Sequence, residues 1–159
     1  LKAGDSILLS GTIYTARDAA HKKLVELIKS KKDLPFDIEN QIIYYVGPSP
    51  TPPGKTIGSA GPTTSYRMDK FTPTLLDLGL SGMIGKGNRS DEVINSIIKN
   101  KSIYFTCIGG TAALLSSHIT SSKVIAYPGL GPEAIRKLEV KNFPLIVTID
   151  SLGNNLYNH

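Results

Sequence analysis

The residues best placed to do chemistry are few and cationic. Of eighteen basic residues only four are arginine, Arg17, Arg67, Arg89 and Arg136. Two of these fall in loops whose neighbours are suited to an anion. Three such loops stand out: Thr15-Ala16-Arg17-Asp18 at a predicted helix start, the polar string from Gly61 to Asp69, and Gly85-Lys86-Gly87. Each sets a cation beside glycine or a helix N-terminus, where backbone N–H groups lack partners and can bind carboxylate or phosphate. Arginine offers a planar fork that matches a carboxylate, and lysine offers a point charge.

Plainer readings stand beside these. Arg17 followed by Asp18 also fits a solvated first turn. Thr63, Thr64 and Ser65 fit turn and cap positions, the commonest use of such hydroxyls, and Gly85-Lys86-Gly87 fits a glycine turn with an exposed lysine. Gly54-Lys55-Thr56 fails as a phosphate loop, because Ser49 stands where the motif needs its first glycine. His21 and His118 have no partner at ligand spacing and read as core or surface residues. Cys107, inside an apolar run, reads as an inert core thiol.

The elements that must position these loops follow from periodicity. Ser6 to Tyr14 has strand composition, interrupted at Gly11 in the manner of a bulge or turn. Ala16 to Lys31 carries apolar residues at helical spacing (Ala20, Leu24, Leu27, Ile28), with Thr15 as the expected N-cap. Gln41 to Val46 reads as a buried strand. Gly47 to Pro62 then holds nine Gly or Pro in sixteen residues, which excludes a long helix or a central strand and predicts an ordered loop.

Asp69 is expected to cap a helix ending near Leu78-Gly79. Ser81 to Gly87 reads as a short strand and glycine turn. Ser90 is expected to cap a helix with Asp91 and Glu92 in its first turn and Lys99 and Lys101 in its last. Ser102 to Ile108 reads as a strand, Gly109-Gly110 as a turn, Thr111 to His118 as a short helix and Lys123 to Tyr127 as a strand. Pro128 to Pro132 breaks the pattern, Leu145 to Ile149 is the last strand, and Asp150 to Asn154 is a turn. The alternation predicts an α/β domain with a mixed or parallel sheet covered by helices.

Composition bounds the rest. The 159 residues suit one domain with a sizeable core and leave too little chain for two. The single cysteine excludes an internal disulfide framework, and any all-cysteine zinc or iron–sulfur site built by this chain alone. The net charge of +5 is mild, and the fourteen lysines are scattered with no run longer than a pair, unlike a nucleic-acid footprint. Ser102 to Ser122, the longest stretch without Lys, Arg, Asp or Glu, contains Gly109-Gly110, Ser116-Ser117 and His118 and fits neither a membrane span nor a secretory signal. A soluble, cytoplasmic protein is expected. The sequence opens at Leu1 rather than Met, which reads as a start inside a longer reading frame.

Taken together, Gly11 to His21 (GTIYTARDAAH), Gly47 to Asp69 (GPSPTPPGKTIGSAGPTTSYRMD), Met83 to Gly87 (MIGKG), Gly109-Gly110 with Ala112-Ala113-Leu114, and Leu138 to Pro144 (LEVKNFP) resemble a known family. It is the C-terminal domain, or separate β subunit, of the iron–sulfur class I fumarate and tartrate hydro-lyases. The resemblance covers nearly the whole chain, and the RDAAH and GPTT-S-x-RMD strings are its most specific parts.

The resemblance implies a swivelling β/β/α three-layer domain with a mixed sheet, one domain over residues 1–159. It implies a partner α subunit that supplies three cysteines to a [4Fe-4S] cluster, whose unligated iron acts as Lewis acid on the substrate hydroxyl. The lack of cluster cysteines here is what a β subunit should show, so no metal ligand is expected in this chain. Carried over residue by residue, Arg17, Arg67 and Lys86 would hold the substrate carboxylates and Thr63 would transfer the proton, with Thr64 beside it and Asp18 and Asp69 in support. The implied reaction is reversible dehydration of a 2-hydroxy dicarboxylate, malate to fumarate first, within a hetero-oligomer expected to be α2β2. The alternatives are a tartrate dehydratase β subunit or a stand-alone, non-catalytic anion-binding domain of the same fold.

Overall fold

The computed structural model describes residues 1–108 and 112–158. The glycine turn at Gly109-Gly110 and the helix start at Thr111 lie outside the described residues. The elements in chain order are β1 (Ser6–Thr15), α1 (Asp18–Lys29), β2 (Ile42–Tyr44), a 3-10 helix (Ser65–Met68), α2 (Thr72–Asp77), β3 (Gly82–Gly85), α3 (Asp91–Asn100), β4 (Ile103–Cys107), α4 (Ala112–Ser116), β5 (Ile119–Ala126), a second 3-10 helix (Pro128–Glu133) and β6 (Ile135–Ile149). The mixed α/β class is as expected.

Four strands run parallel in sequence order: β1 beside β2, β2 beside β3, and β3 beside β4. The links from β1 to β2 and from β3 to β4 carry α1 and α3, while α2 follows the long loop between β2 and β3. β6 then runs antiparallel to β4, β1 and β5. Leu145 and Ile146 pair with Cys107 and Thr106 on one side and with Ile7 and Ser6 on the other, so β6 closes the sheet back onto β1.

Period-two alternation sorts the strand side chains into two cores. Ile43, Tyr45, Met83 and Tyr104 face the helices and pack with Ala20 and Leu24 of α1, Leu75 and Leu76 of α2, and Val93 and Ile97 of α3. Tyr44, Val46, Ile84 and Phe105 point the other way, into a second core with Ile13, Leu138, Val140, Phe143, Leu145 and Val147. The glycine- and proline-rich loop belongs to this second core. Its Ile57 and Ala60 are buried there, Tyr44 Oη donates to the Ala60 carbonyl, and the Ser49 amide donates to the Ser59 carbonyl at 3.0 Å. The loop is thus held in place as expected.

Gly11 sits at a bulge. Gly11 pairs with Val140 and Leu9 with Phe143, so Ser10 faces the two residues Lys141 and Asn142. Asn142 takes the left-handed conformation (φ 52°), and its amide donates to Ser10 Oγ at 3.0 Å.

Several boundaries differ from the sequence expectation. The last strand is far longer than Leu145–Ile149, because the bulge breaks its apolar alternation and Pro144 interrupts it in composition only. Pro144 offers its carbonyl to the Ile108 amide where β4 has already ended, so its missing N–H removes no ladder bond. Thr15 does not cap α1: its hydroxyl donates to the Ala134 carbonyl and accepts from the Arg136 amide at 3.0 Å, and Arg17 occupies the N-cap in extended conformation. Asp69 does not cap α2, whose N-cap is Phe71. Ser90 does cap α3, accepting from the Val93 amide, with Asp91 and Glu92 in the first turn. Lys101 lies just past the end as a left-handed C-cap (φ 54°), not inside the last turn.

Candidate functional site

The candidate residues gather at the C-terminal ends of the parallel strands, the edge at which α/β sheets commonly bind ligands. Arg17 follows β1, Gly47 follows β2 and Lys86 follows β3. The segment Thr63–Asp69 lies across these ends. The Thr63 amide donates to the Tyr45 carbonyl at 2.7 Å, Thr64 forms an isolated parallel bridge with Lys86, and the Ser65 amide donates to the Lys86 carbonyl at 2.9 Å. Farther along the same segment, Arg67 Nε donates to Asp18 Oδ2 at 3.0 Å. Three strand ends and one crossing loop therefore bring Arg17, Asp18, Thr63, Thr64, Arg67 and Lys86 to one edge.

Local packing explains how they are held. The Arg17 side chain lies against the backbone of Gly47, where an added Cβ would stand 2.8 Å from Nη1 and 2.9 Å from Cδ. The Arg17 carbonyl accepts twice from His21, from its amide at 2.9 Å and from ring Nδ1 at 2.8 Å. Burial lowers the His21 pKa to about 4, with a smaller opposing effect from the hydrogen bond to Arg17, so the ring is neutral and donates through Nδ1. Gly85 has no room for a side chain, since a Cβ would overlap Ser65 Oγ.

Charge is left over at this edge. Among the described residues neither Arg17 nor Lys86 has a carboxylate within ion-pair distance. Arg17 Nε is buried with no hydrogen-bond partner, as is Asp18 Oδ1. A buried donor left unpaired costs about 1–3 kcal/mol. The Arg67–Asp18 pair is partly exposed, with side chains 44% and 34% accessible, so it orients more than it stabilises. The Thr63 and Thr64 hydroxyls have no partner among the described residues. Among the described residues no carboxylate is hydrogen-bonded to Thr63.

Backbone donors are scarcer than the sequence suggested. The amides of Thr63 and Ser65 are consumed by the fold, and at the start of α1 Glu133 Oε1 accepts from the Ala19 amide at 3.1 Å. A cavity of about 820 Å³ borders Arg67 and Asp69 but not Arg17, Thr63 or Lys86.

Asp69 is spoken for. Its Oδ1 accepts from Arg89 Nε at 2.7 Å and its Oδ2 from the Ser90 amide at 2.8 Å. Arg89 itself was not among the expected site residues. Its signal in the sequence is an arginine directly before a helix N-cap, where the positive end of the helix disfavours a cation unless a carboxylate compensates it. The residues of this chain do not fit an iron–sulfur cluster: among the described residues no group of three His, Cys, Asp or Glu converges. Cys107 is half-buried, and burial pushes its thiol up to about 11, partly offset by the Tyr44 hydroxyl.

The fold and its unpaired cations define a mixed α/β domain with a cationic edge at the ends of its parallel strands. The chain belongs to the Fumarase C-terminus family, whose model matches residues 1–159. It is 46% identical over 151 residues to the protein named "Fumarate hydratase class I, anaerobic" of Escherichia coli (strain K12), which covers 94% of this chain and 28% of that protein. It is 40% identical over 157 residues to "Fumarate hydratase 2" of Leishmania major, covering 98% and 28%. It is 42% identical over 163 residues to "Putative L(+)-tartrate dehydratase subunit beta" of Methanocaldococcus jannaschii, covering 99% and 84%. The chain thus spans little more than a quarter of the fumarate hydratases it matches and most of the subunit it matches. Among the described residues no helix is long and apolar enough to cross a membrane.

Proposed function

We propose that residues 1–159 act as the β part of an iron–sulfur hydro-lyase that reversibly dehydrates a 2-hydroxy dicarboxylate, malate to fumarate in the first instance. The observation that carries this reading is Arg17, whose Nε is buried without a partner and which among the described residues has no carboxylate at ion-pair distance, on the same strand-end edge as the Asp18–Arg67 pair and Lys86. Family membership supports the reaction class. The [4Fe-4S] cluster is assigned to a partner α subunit, in keeping with the single cysteine here, and the assembly is proposed as α2β2.

In this reading Arg17, Arg67 and Lys86 grip the two carboxylates, and Thr64 adds a hydroxyl contact. Removing a proton next to a carboxylate builds negative charge on that group, and fixed cations stabilise the charge more as it grows, which lowers the barrier. Thr63 moves the proton. A threonine hydroxyl is a poor base at its ordinary acidity, so its role depends on the cationic surroundings. Asp18 aligns Arg67, and Asp69 fixes the end of the helical turn that carries it. The two cores on opposite faces of the sheet support a β/β/α three-layer domain, proposed to swivel as a body over the partner's cluster.

The second reading, a tartrate dehydratase β subunit, is favoured by the relative of which this chain covers 84%. One anaerobic assay separates them: the chain mixed with its α partner and offered malate, fumarate and tartrate. Turnover of malate and fumarate only with both chains present supports the first reading. Turnover of tartrate alone supports the second, and tight dicarboxylate binding without turnover by any mixture leaves a non-catalytic anion-binding domain.

A further inference from the structure

Arg89 is the most enclosed cation of the molecule. Its side chain is fully buried, yet none of the roles above requires it. Its guanidinium is held from several directions: Nε donates to Asp69 Oδ1 at 2.7 Å, Nη2 to Thr72 Oγ1 at 2.9 Å and to Tyr45 Oη at 3.2 Å, and Nη1 to Met83 Sδ at 3.5 Å. The Tyr104 and Tyr45 rings lie 4.9 and 5.2 Å from its central carbon. Burial alone works against the charge, but Tyr45, Asp69 and Tyr104 together raise its pKa, so it stays ionised.

The partners of Arg89 lead to both loops of the clamp. Asp69 lies two residues after Arg67, and its second oxygen accepts from the Ser90 amide, stitching the Arg67 turn to the start of α3. Tyr104, under the guanidinium, donates to the Gly87 carbonyl at 2.7 Å, one residue from Lys86. Its hydroxyl also meets Ser65 Oγ at 2.7 Å, one residue from Thr64, and with the Tyr104 proton committed to Gly87 the serine donates. One buried cation therefore touches, at one remove, the neighbours of Arg67, Lys86 and Thr64.

We propose that Arg89 is a positioning residue that locks the Thr63–Asp69 segment and the Lys86–Asn88 loop into one rigid unit, setting the spacing of the cations that receive the two carboxylates. The proposal rests on the clamp reading of Arg67 and Lys86. Lysine cannot replace Arg89, because an ammonium cannot reach Asp69, Thr72 and Tyr45 together in one plane.

The test uses the full chain assembled with its α partner. In Arg89→Lys, hydrogen exchange at the Ser65 and Ser90 amides is expected to quicken about tenfold or more while the β1–β6 ladder stays protected. KM for the dicarboxylate is expected to rise about tenfold with a smaller loss in kcat, and further in Arg89→Met. Asp69→Asn, nearly isosteric, reproduces the effect if Arg89→Lys folds poorly. Combined with Arg89→Lys it adds little, since both break one contact. A core variant of matched thermal stability, Ile97→Val, must leave KM unchanged.

Unchanged exchange at Ser65 and Ser90, a KM within about twofold of wild type in folded Arg89→Lys, or the same KM rise in Ile97→Val overturns the proposal. Exchange that quickens as expected in a wild-type background with no hydro-lyase activity would instead count against the clamp reading and leave the coupling of the two loops standing.

Discussion

Asp18 Oδ2 accepts a 3.0 Å hydrogen bond from Arg67 Nε, joining the residue after Arg17 to a helical turn forty-nine positions away. This pair fixes the relative placement of two arginines assigned to one substrate. Because both side chains are partly exposed, the bond contributes at most about 1 kcal/mol to stability. Asp18→Asn is therefore expected to leave the urea midpoint nearly unchanged while raising KM in the assembled enzyme by about five- to tenfold. An equal fall in stability and activity would show that Asp18 serves the fold instead.

Gly47 offers a cleaner probe of Arg17 than removing the arginine. Its backbone φ is not positive, so alanine suits the backbone and by itself gains about 0.4–1 kcal/mol through the unfolded state. The new methyl, however, would stand 2.8 Å from Arg17 Nη1 and 3.3 Å from the Pro132 carbonyl. Gly47→Ala should therefore displace the guanidinium from its seat, raising KM and lowering kcat together by about tenfold or more with little change in Tm. Arg17→Ala and Arg67→Ala should give the same double effect, and wild-type steady-state kinetics in either would exclude them from the clamp.

What could be read from sequence was mostly local. The Gly11 bulge, the Ser90 cap and the Asp150 turn each announce themselves within five residues, as does the held loop through Ile57 and Ala60. Thr15 and Asp69 misled because their side chains reach distant partners, the Arg136 amide in one case and the Ser90 amide and Arg89 in the other. The first half of β6 was hidden for a similar reason: Lys141, Asn142 and Pro144 obscure an alternation that only its pairing with β1, β4 and β5 restores. Arg17, Arg67 and Lys86 sit in distinctive strings, and the strand ends with the crossing segment bring those strings to one edge. The network that spaces them, through Tyr45, Tyr104 and Arg89, is built by tertiary contacts and leaves only the oddly placed Arg89 as a trace.

Cys107 provides a test of where a cluster is held. Its thiol is half-buried and pushed up to about 11 by burial, partly offset by the Tyr44 hydroxyl, so it is protonated at neutral pH and a poor iron ligand. Cys107→Ser keeps a small side chain able to bond Tyr44. In the reconstituted complex it is expected to retain full iron content and wild-type turnover, with stability lowered by about 1 kcal/mol or less. Loss of iron measured after anaerobic reconstitution would place a ligand in this chain.

His21 makes the domain sensitive to acid. Its ring is fully buried, Nδ1 donates to the Arg17 carbonyl, Nε2 has no partner, and its pKa falls from 6.5 in the free side chain to about 4, mainly through burial. The unfolded chain thus takes up a proton that the folded chain refuses. The stability His21 preserves is complete above about pH 6.5 and declines as pH drops toward 4, a loss of about 3 kcal/mol in all. Urea unfolding followed between pH 7 and pH 4 should show this slope, and His21→Leu should remove most of it. Because the same ring holds the Arg17 carbonyl, dicarboxylate KM in His21→Leu should also rise at neutral pH, where protonation of the wild-type ring plays no part. A variant with the slope abolished and KM untouched would confine His21 to stability and leave the seating of Arg17 to Gly47 alone.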